Sequence, residues 1–302
     1  MGVVSMNQSG YILLCFMRTY DMPFFMILSG YFLRKSQERG STWKVVTNRI
    51  STLVVPIVIW TFARGSLNVF GGMYYFLWAV VCSCVVCATA SGISSCAPDK
   101  LRMPLQLFVY VGAVVLMHLI KMPYNLFYLF PFFALGYLCS RLRFSLPEPI
   151  EMCLLLAWVL CMCFWHTNYT PWQINGVAWK GDSWVIVIYL YRFVLALLGV
   201  HFVWKICDGI RIWLKVDSWM GQVITNAGRE SMAMYLLHMF PILAVKHIIY
   251  ACPRVNVPEC ANIIGYVIAP LISFLISMIL FQVVQFIKGS RLLKWTLGFK
   301  VV

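Results

Sequence analysis

Long apolar runs, broken only by short basic loops, constrain this chain more than any other feature. Apolar runs lie at about 11–33, 50–67, 73–92, 104–120, 124–140, 150–166, 184–204, 230–250 and 262–287. Most approach the roughly 20 residues that a helix needs to cross a bilayer. Inside hydrocarbon every backbone N–H and C=O must find its partner within the protein, so such runs fold as helices. Composition agrees. Hydrophobic residues make up 62% of the chain and charged ones 11%. A soluble domain carries about 45–50% and about 25%. The expected fold is all-α: a polytopic transmembrane bundle of nine helices forming one domain over residues 1–302. The runs at 104–120 and 124–140 are short and meet at Lys121-Met122-Pro123, as a tight hairpin would.

Charge orients the bundle. The formal net charge is +14, and the cations fall in alternate loops. Arg34, Lys35, Arg39, Lys44 and Arg49 follow the first run. Lys100 with Arg102, Arg141 with Arg143, and Lys205, Arg211, Lys215 and Arg229 follow in turn, with Lys288, Arg291, Lys294 and Lys300 last. The intervening loops hold only Lys121, Lys180 and Arg254. Nine spans place every basic loop on one side without a break, and the positive-inside bias makes that side cytoplasmic. The expected topology is N-out and C-in. The same pattern explains the net charge without nucleic acid as a partner. An N-out start without a leader is also what a chain shows when one upstream helix is missing.

Twelve cysteines are present, many inside apolar runs. Cys84 and Cys87 have metal-ligand spacing, but no second pair matches them. A buried cysteine behaves as a small hydrophobe, so no metal is expected.

Charges within spans need a partner or a task. Arg18 and Asp21 are three residues apart and share a helix face. They read equally as a structural ion pair or as a functional one. Ser29 and Gly30 allow a neighbouring helix to come close. Arg192 lies within the seventh run beside Tyr189 and Tyr191 and calls for an anion or a carboxylate. In the eighth, Glu230 and Ser231 are followed by Tyr235 and His238. Ser231, Tyr235 and His238 form a polar stripe on an apolar helix. His238 is a packing residue or a general base.

Several segments together resemble the membrane acyltransferase-3 family of integral-membrane O-acyltransferases. Asp21-Met22-Pro23-Phe24-Phe25 with Ser29-Gly30-Tyr31 is similar to its second-helix signature. Arg49 to Pro56, Tyr74 to Ala79 and Pro131 to Tyr137 resemble later segments. Gly228-Arg229-Glu230-Ser231 with Tyr235-Leu236-Leu237-His238 resembles the family's late motif. The resemblance implies a core of about ten helices. It implies transfer of an acyl group, usually acetyl, from acyl-CoA to a hydroxyl of a cell-envelope saccharide, by a multi-pass protein of the inner (plasma) membrane. Arg34, Lys35, Lys44 and Arg49 are the positions implied to hold the CoA phosphates, by charge complementarity. The family's first-helix histidine, regarded as catalytic, has no counterpart before Met22, and Asp21 stands where members often carry His. The expectation is therefore an acyltransferase lacking its first helix and inactive as written unless His238 substitutes. The competing expectations are a transporter or flippase-like carrier, favoured by the charges within spans, and a catalytically dead homologue within an envelope-synthesis complex.

Overall fold

The computed structural model describes residues 8–63, 65, 75–120, 126–140, 147–164, 184–214, 217–226, 228, 275–276, 278–280, 282–290 and 296; for 8–18, 184 and 185 it describes the backbone alone. The fold is all-α, as the apolar runs require. Among the described residues, seven long helices follow in order: α1 (Gln8–Gln37), α2 (Thr42–Ala63), α3 (Tyr75–Ser95), α4 (Asp99–Leu119), α5 (Leu126–Cys139), α6 (Glu148–Met162) and α7 (Trp184–Trp213), and residues 219–226 are helical as well. Each of the seven long helices coincides with one of the first seven expected spans. Among the described residues, four are long and apolar enough to cross a membrane: Thr42–Ala63, Tyr75–Ser95, Asp99–Leu119 and Ile186–Trp213. The eighth span, 230–250, lies outside the described residues. Of the ninth, 262–287, the described residues 275–276, 278–280 and 282–287 are all helical.

Helix ends depart from the apolar runs in one way that bears on function. Lys44 and Arg49 lie on α2, not in the loop that charge alone suggests. The connection shrinks to residues 38–41. Gly40 lies in this connection, and the Ser41 carbonyl accepts the first bond of α2 from Val45 N–H at 3.0 Å. Hydropathy misses the first turns of α2 because they are polar, although their backbone is helical. Elsewhere the helix starts follow ordinary rules. Pro98 and Pro147 precede α4 and α6, and Asp99, Glu148 and Glu151 occupy the first turns, where the helix dipole favours negative charge. Arg34 and Lys35 occupy the last turn of α1, where it favours positive charge.

The chain divides into two compact units. The first comprises Met1–Tyr11, Ser51–Tyr74 and Ile210–Val302. Within it the Trp60 indole N–H donates to the Thr296 carbonyl at 2.9 Å. The second comprises Ile12–Ile50 and Tyr75–Gly209, and α5 is its centre. Leu126, Leu129, Phe130, Phe132, Phe133 and Tyr137 of α5 are all buried. A helix buried on every face is apolar all round. Phe130 meets Tyr110 of α4 edge-on at 5.6 Å, and Phe132 lies 4.8 Å from Phe193 of α7.

Two glycines bring α1 and α5 into backbone contact. A Cβ at Gly30 would overlap the Phe133 carbonyl and sit 2.9 Å from Tyr137 N; one at Gly136 would overlap the Ile27 carbonyl. No side chain fits between these helices, so glycine is required on both. Helices α6 and α7 run antiparallel. The Tyr191 hydroxyl donates to the Cys161 carbonyl at 2.6 Å, and Lys205 pairs with Glu151 towards the opposite end. Gly199 makes room for Trp158 and Tyr20, with a Cβ there 3.2 Å from the indole nitrogen.

Candidate functional site

The Gly30–Gly136 crossing sets the geometry of a basic cluster one turn further along α1. Arg34 Nη1 donates to the Tyr137 hydroxyl at 3.1 Å, and its guanidinium lies 5.2 Å from the centre of the same ring. The Tyr137 hydroxyl donates in turn to Gln37 Oε1 at 2.5 Å. Arg34 thus has a fixed direction, although its side chain is 25% exposed and open to a ligand. Glu38 stands 3.8 Å from Arg34 and 3.5 Å from Lys35. Across the four-residue connection, Lys44 is exposed and Arg49 half-buried on the first turns of α2. Arg49 is within electrostatic reach of Cys84 on α3, and Arg34 of Tyr110 on α4. The four cations named from sequence therefore lie on the last turn of α1 and the first turns of α2, on either side of a four-residue connection.

A second polar centre lies deeper in the same unit. Arg192 of α7 is only 4% exposed. Its guanidinium sits 5.4 Å from the centre of the Tyr128 ring, and the Tyr128 hydroxyl donates to its carbonyl oxygen at 3.4 Å. Tyr189 packs 5.9 Å from Tyr128. The Asp21 carboxylate, half-buried on α1, acts electrostatically on both Arg192 and Tyr128. The same carboxylate accepts the Met22 N–H at 2.6 Å. Arg192 thus contacts Tyr128 through both its ring and its hydroxyl. Sequence spacing paired Asp21 with Arg18; the Arg18 side chain lies outside the described residues.

Ser29 is half-buried beside Gly30. Glu230, Ser231, Tyr235 and His238 lie outside the described residues. Tyr128, Tyr137 and Gln37 were not singled out in the sequence as site residues. Tyr137 ends a motif that had been noted. Tyr128 had no distinguishing signal, because its partner is 64 residues away. Among the described residues, no group of three or more His, Cys, Asp or Glu could hold a metal ion.

The acyltransferase-3 model, described as an acyltransferase domain, matches residues 2–282. The chain belongs to this acyltransferase family. No curated protein and no solved structure matches the chain. Family membership and spanning helices together make it a membrane acyltransferase. An acyltransferase needs a place for the donor's carrier group and a place where the carbonyl meets its acceptor. This member has two polar centres on α1, at Arg34 and at Asp21, to be weighed for those tasks.

Proposed function

We propose that the protein is an O-acyltransferase of the inner (plasma) membrane that moves an acyl group, acetyl in the simplest case, from cytoplasmic acyl-CoA to a hydroxyl of a cell-envelope saccharide. One domain over residues 1–302, N-out and C-in, carries the reaction. Arg34, Lys35, Lys44 and Arg49 hold the CoA phosphates. The observation that supports this reading best is the clustering of those cations at adjoining ends of α1 and α2, with Arg34 held by Tyr137 and Gln37. Guanidinium groups suit phosphate because their planar fork donates two parallel hydrogen bonds. The cluster lies on the basic side that the positive-inside bias assigns to the cytoplasm, where acyl-CoA is made. Ser29 and the stripe of Glu230, Ser231, Tyr235 and His238 belong to the interior path of the acceptor.

Thermal unfolding of the purified protein with acetyl-CoA tests this. A ligand at about 100 times its Kd stabilises the folded state by about 2.7 kcal/mol, so Tm rises with ligand concentration. Arg34→Ala and Arg49→Ala should each weaken the effect by roughly tenfold in Kd, the worth of one charge-assisted hydrogen bond at about 1.5–3 kcal/mol. No response to CoA or acetyl-CoA, with stabilisation by a solute instead, would favour a carrier and overturn the proposal.

A further inference from the structure

We infer that residues 219–226, together with Trp213 at the end of α7, anchor the chain to the membrane surface. The apolar face of the 219–226 helix lies at the boundary between headgroups and acyl chains, and the cations that flank it meet anionic phospholipid. The inference needs only that α7 spans the bilayer, and it stands apart from the acyltransferase reading.

Local sequence makes the helix. Residues 219–226 are helical, and Ser218 caps them. The Ser218 carbonyl accepts the Gln222 N–H at 2.9 Å, and its hydroxyl accepts the Gly221 N–H at 3.1 Å. A serine at this position satisfies N–H groups that a helix start leaves open. Gln222 Nε2 donates back to the Asp217 carbonyl at 3.3 Å. At 3.6 residues per turn, Trp219, Met220, Val223 and Ile224 fall within an arc of about 140°. Gly221, Gln222, Thr225 and Asn226 fill the other side. The helix is therefore amphipathic, and at eight residues it is far too short to span.

Among the described residues, nothing covers the apolar side. Trp219 is 75% exposed, Met220 56% and Ile224 53%, while Trp213 is 89% exposed. A helix below about 12–15 residues is marginal in water on its own, and large apolar side chains gain by leaving water. This helix needs a surface to lie on.

Three observations make that surface the bilayer. The chain arrives from a spanning helix, Ile186–Trp213. That helix runs eight residues, about 12 Å, beyond Lys205, where its basic end begins. The connection 214–218 reaches up to about 17 Å, enough to bring Trp219 back to the level of Lys205. The residue types fit as well. Tryptophan joins an apolar ring to a polar N–H and concentrates at headgroup level. Charge agrees. Between 211 and 229 the chain carries Arg211, Lys215 and Arg229 against Asp217 alone, and Arg211 is exposed. Such a balance attracts an anionic leaflet. A second copy of the chain would instead bring the same cations face to face.

The test uses the full-length protein in vesicles of phosphatidylethanolamine and phosphatidylglycerol. A photoreactive benzoylphenylalanine replaces Met220, Ile224, Gln222 or Asn226, one at a time. On illumination, positions 220 and 224 should take up lipid about fivefold more than 222 and 226. Phosphatidylglycerol should be enriched among the adducts over its share of the bilayer. Crosslinks from 220 and 224 to protein, whether a second copy or another segment of the same chain, would overturn the inference. Equal lipid labelling at all four positions, or adducts without preference for phosphatidylglycerol, would do the same. Wild-type protein decides the matter if the substituted chains do not accumulate. Hydrogen exchange of the 219–226 amides should be about fivefold slower in nanodiscs containing phosphatidylglycerol than in nanodiscs of phosphatidylcholine alone. Equal rates in the two bilayers would sink the inference.

Discussion

The Tyr137 hydroxyl accepts from Arg34 and donates to Gln37, so one oxygen holds both side chains. Tyr137→Phe removes that oxygen while keeping the ring under the guanidinium. The expected cost is about 1–2 kcal/mol of stability, from two hydrogen bonds of modest net worth. Acetyl-CoA affinity should fall several-fold, because Arg34 then swings freely. Calorimetric titration beside a denaturant midpoint separates the two effects; unchanged affinity would mean that Tyr137 does not position Arg34. This residue also shows the limit of reading a site from sequence. The four cations were legible because charge is rare in this chain and clusters beside one span. Arg192 was legible for the same reason, since a cation in an apolar run must be compensated. Its companions were not. Tyr128 and Tyr137 sit among Phe and Leu in a helix that is apolar throughout, and only a packed bundle shows which hydroxyl meets a charge.

Helices α1 and α5 touch through backbone at Gly30 and Gly136. Alanine at either position must push the helices apart, and overpacking of this kind costs about 1–3 kcal/mol or more. Gly30→Ala and Gly136→Ala should each lower Tm strongly and weaken acetyl-CoA binding, because the crossing sets where Arg34 meets Tyr137. Gly92→Ala on α3, where a Cβ would meet nothing within 4 Å, is the matched control and should be neutral or slightly stabilising. Equal effects at all three positions would show that the crossing is unimportant. The α6–α7 pair has a different kind of fastening. Lys205 and Glu151 are partly exposed, at 43% and 23%, and such a pair is worth about 0–1 kcal/mol. Lys205→Met should therefore change Tm little. The close approach at Gly30 was legible in part, since small residues in a span signal packing. Which helix fills the gap was not, because Gly136 is 106 residues away.

On the scale of the whole molecule, and among the described residues, the apolar runs located α1 to α7 with errors at their ends, and they missed the helical stretch at 219–226, which lies in a basic connection. The error at α2 has a physical cause. A helix that leaves the hydrocarbon continues into the aqueous layer for as long as its backbone bonds persist, and hydropathy stops where the hydrocarbon does. Orientation is a separate matter and rests on loop charge. A reporter that matures only in the cytoplasm, inserted after Gly40, should be active, and the same reporter inserted between α6 and α7 should be silent. The reverse pattern would invert the bundle and place the basic cluster away from acyl-CoA.

Helix α4 turns most of its surface outward. Among its 21 residues only Tyr110 and Met117 are buried, while Phe108, Val111, Leu116 and Leu119 are more than half exposed. Its two inward residues are seven apart, two helical turns, so a narrow seam holds it to its neighbours. The exposed apolar side chains of α4 suit fluid acyl chains, which have no fixed shape to match. Evolution is thus free to rewrite that face with any greasy letters it likes, and a related sequence will be recognised along this stretch by two characters spaced a heptad apart and by little else.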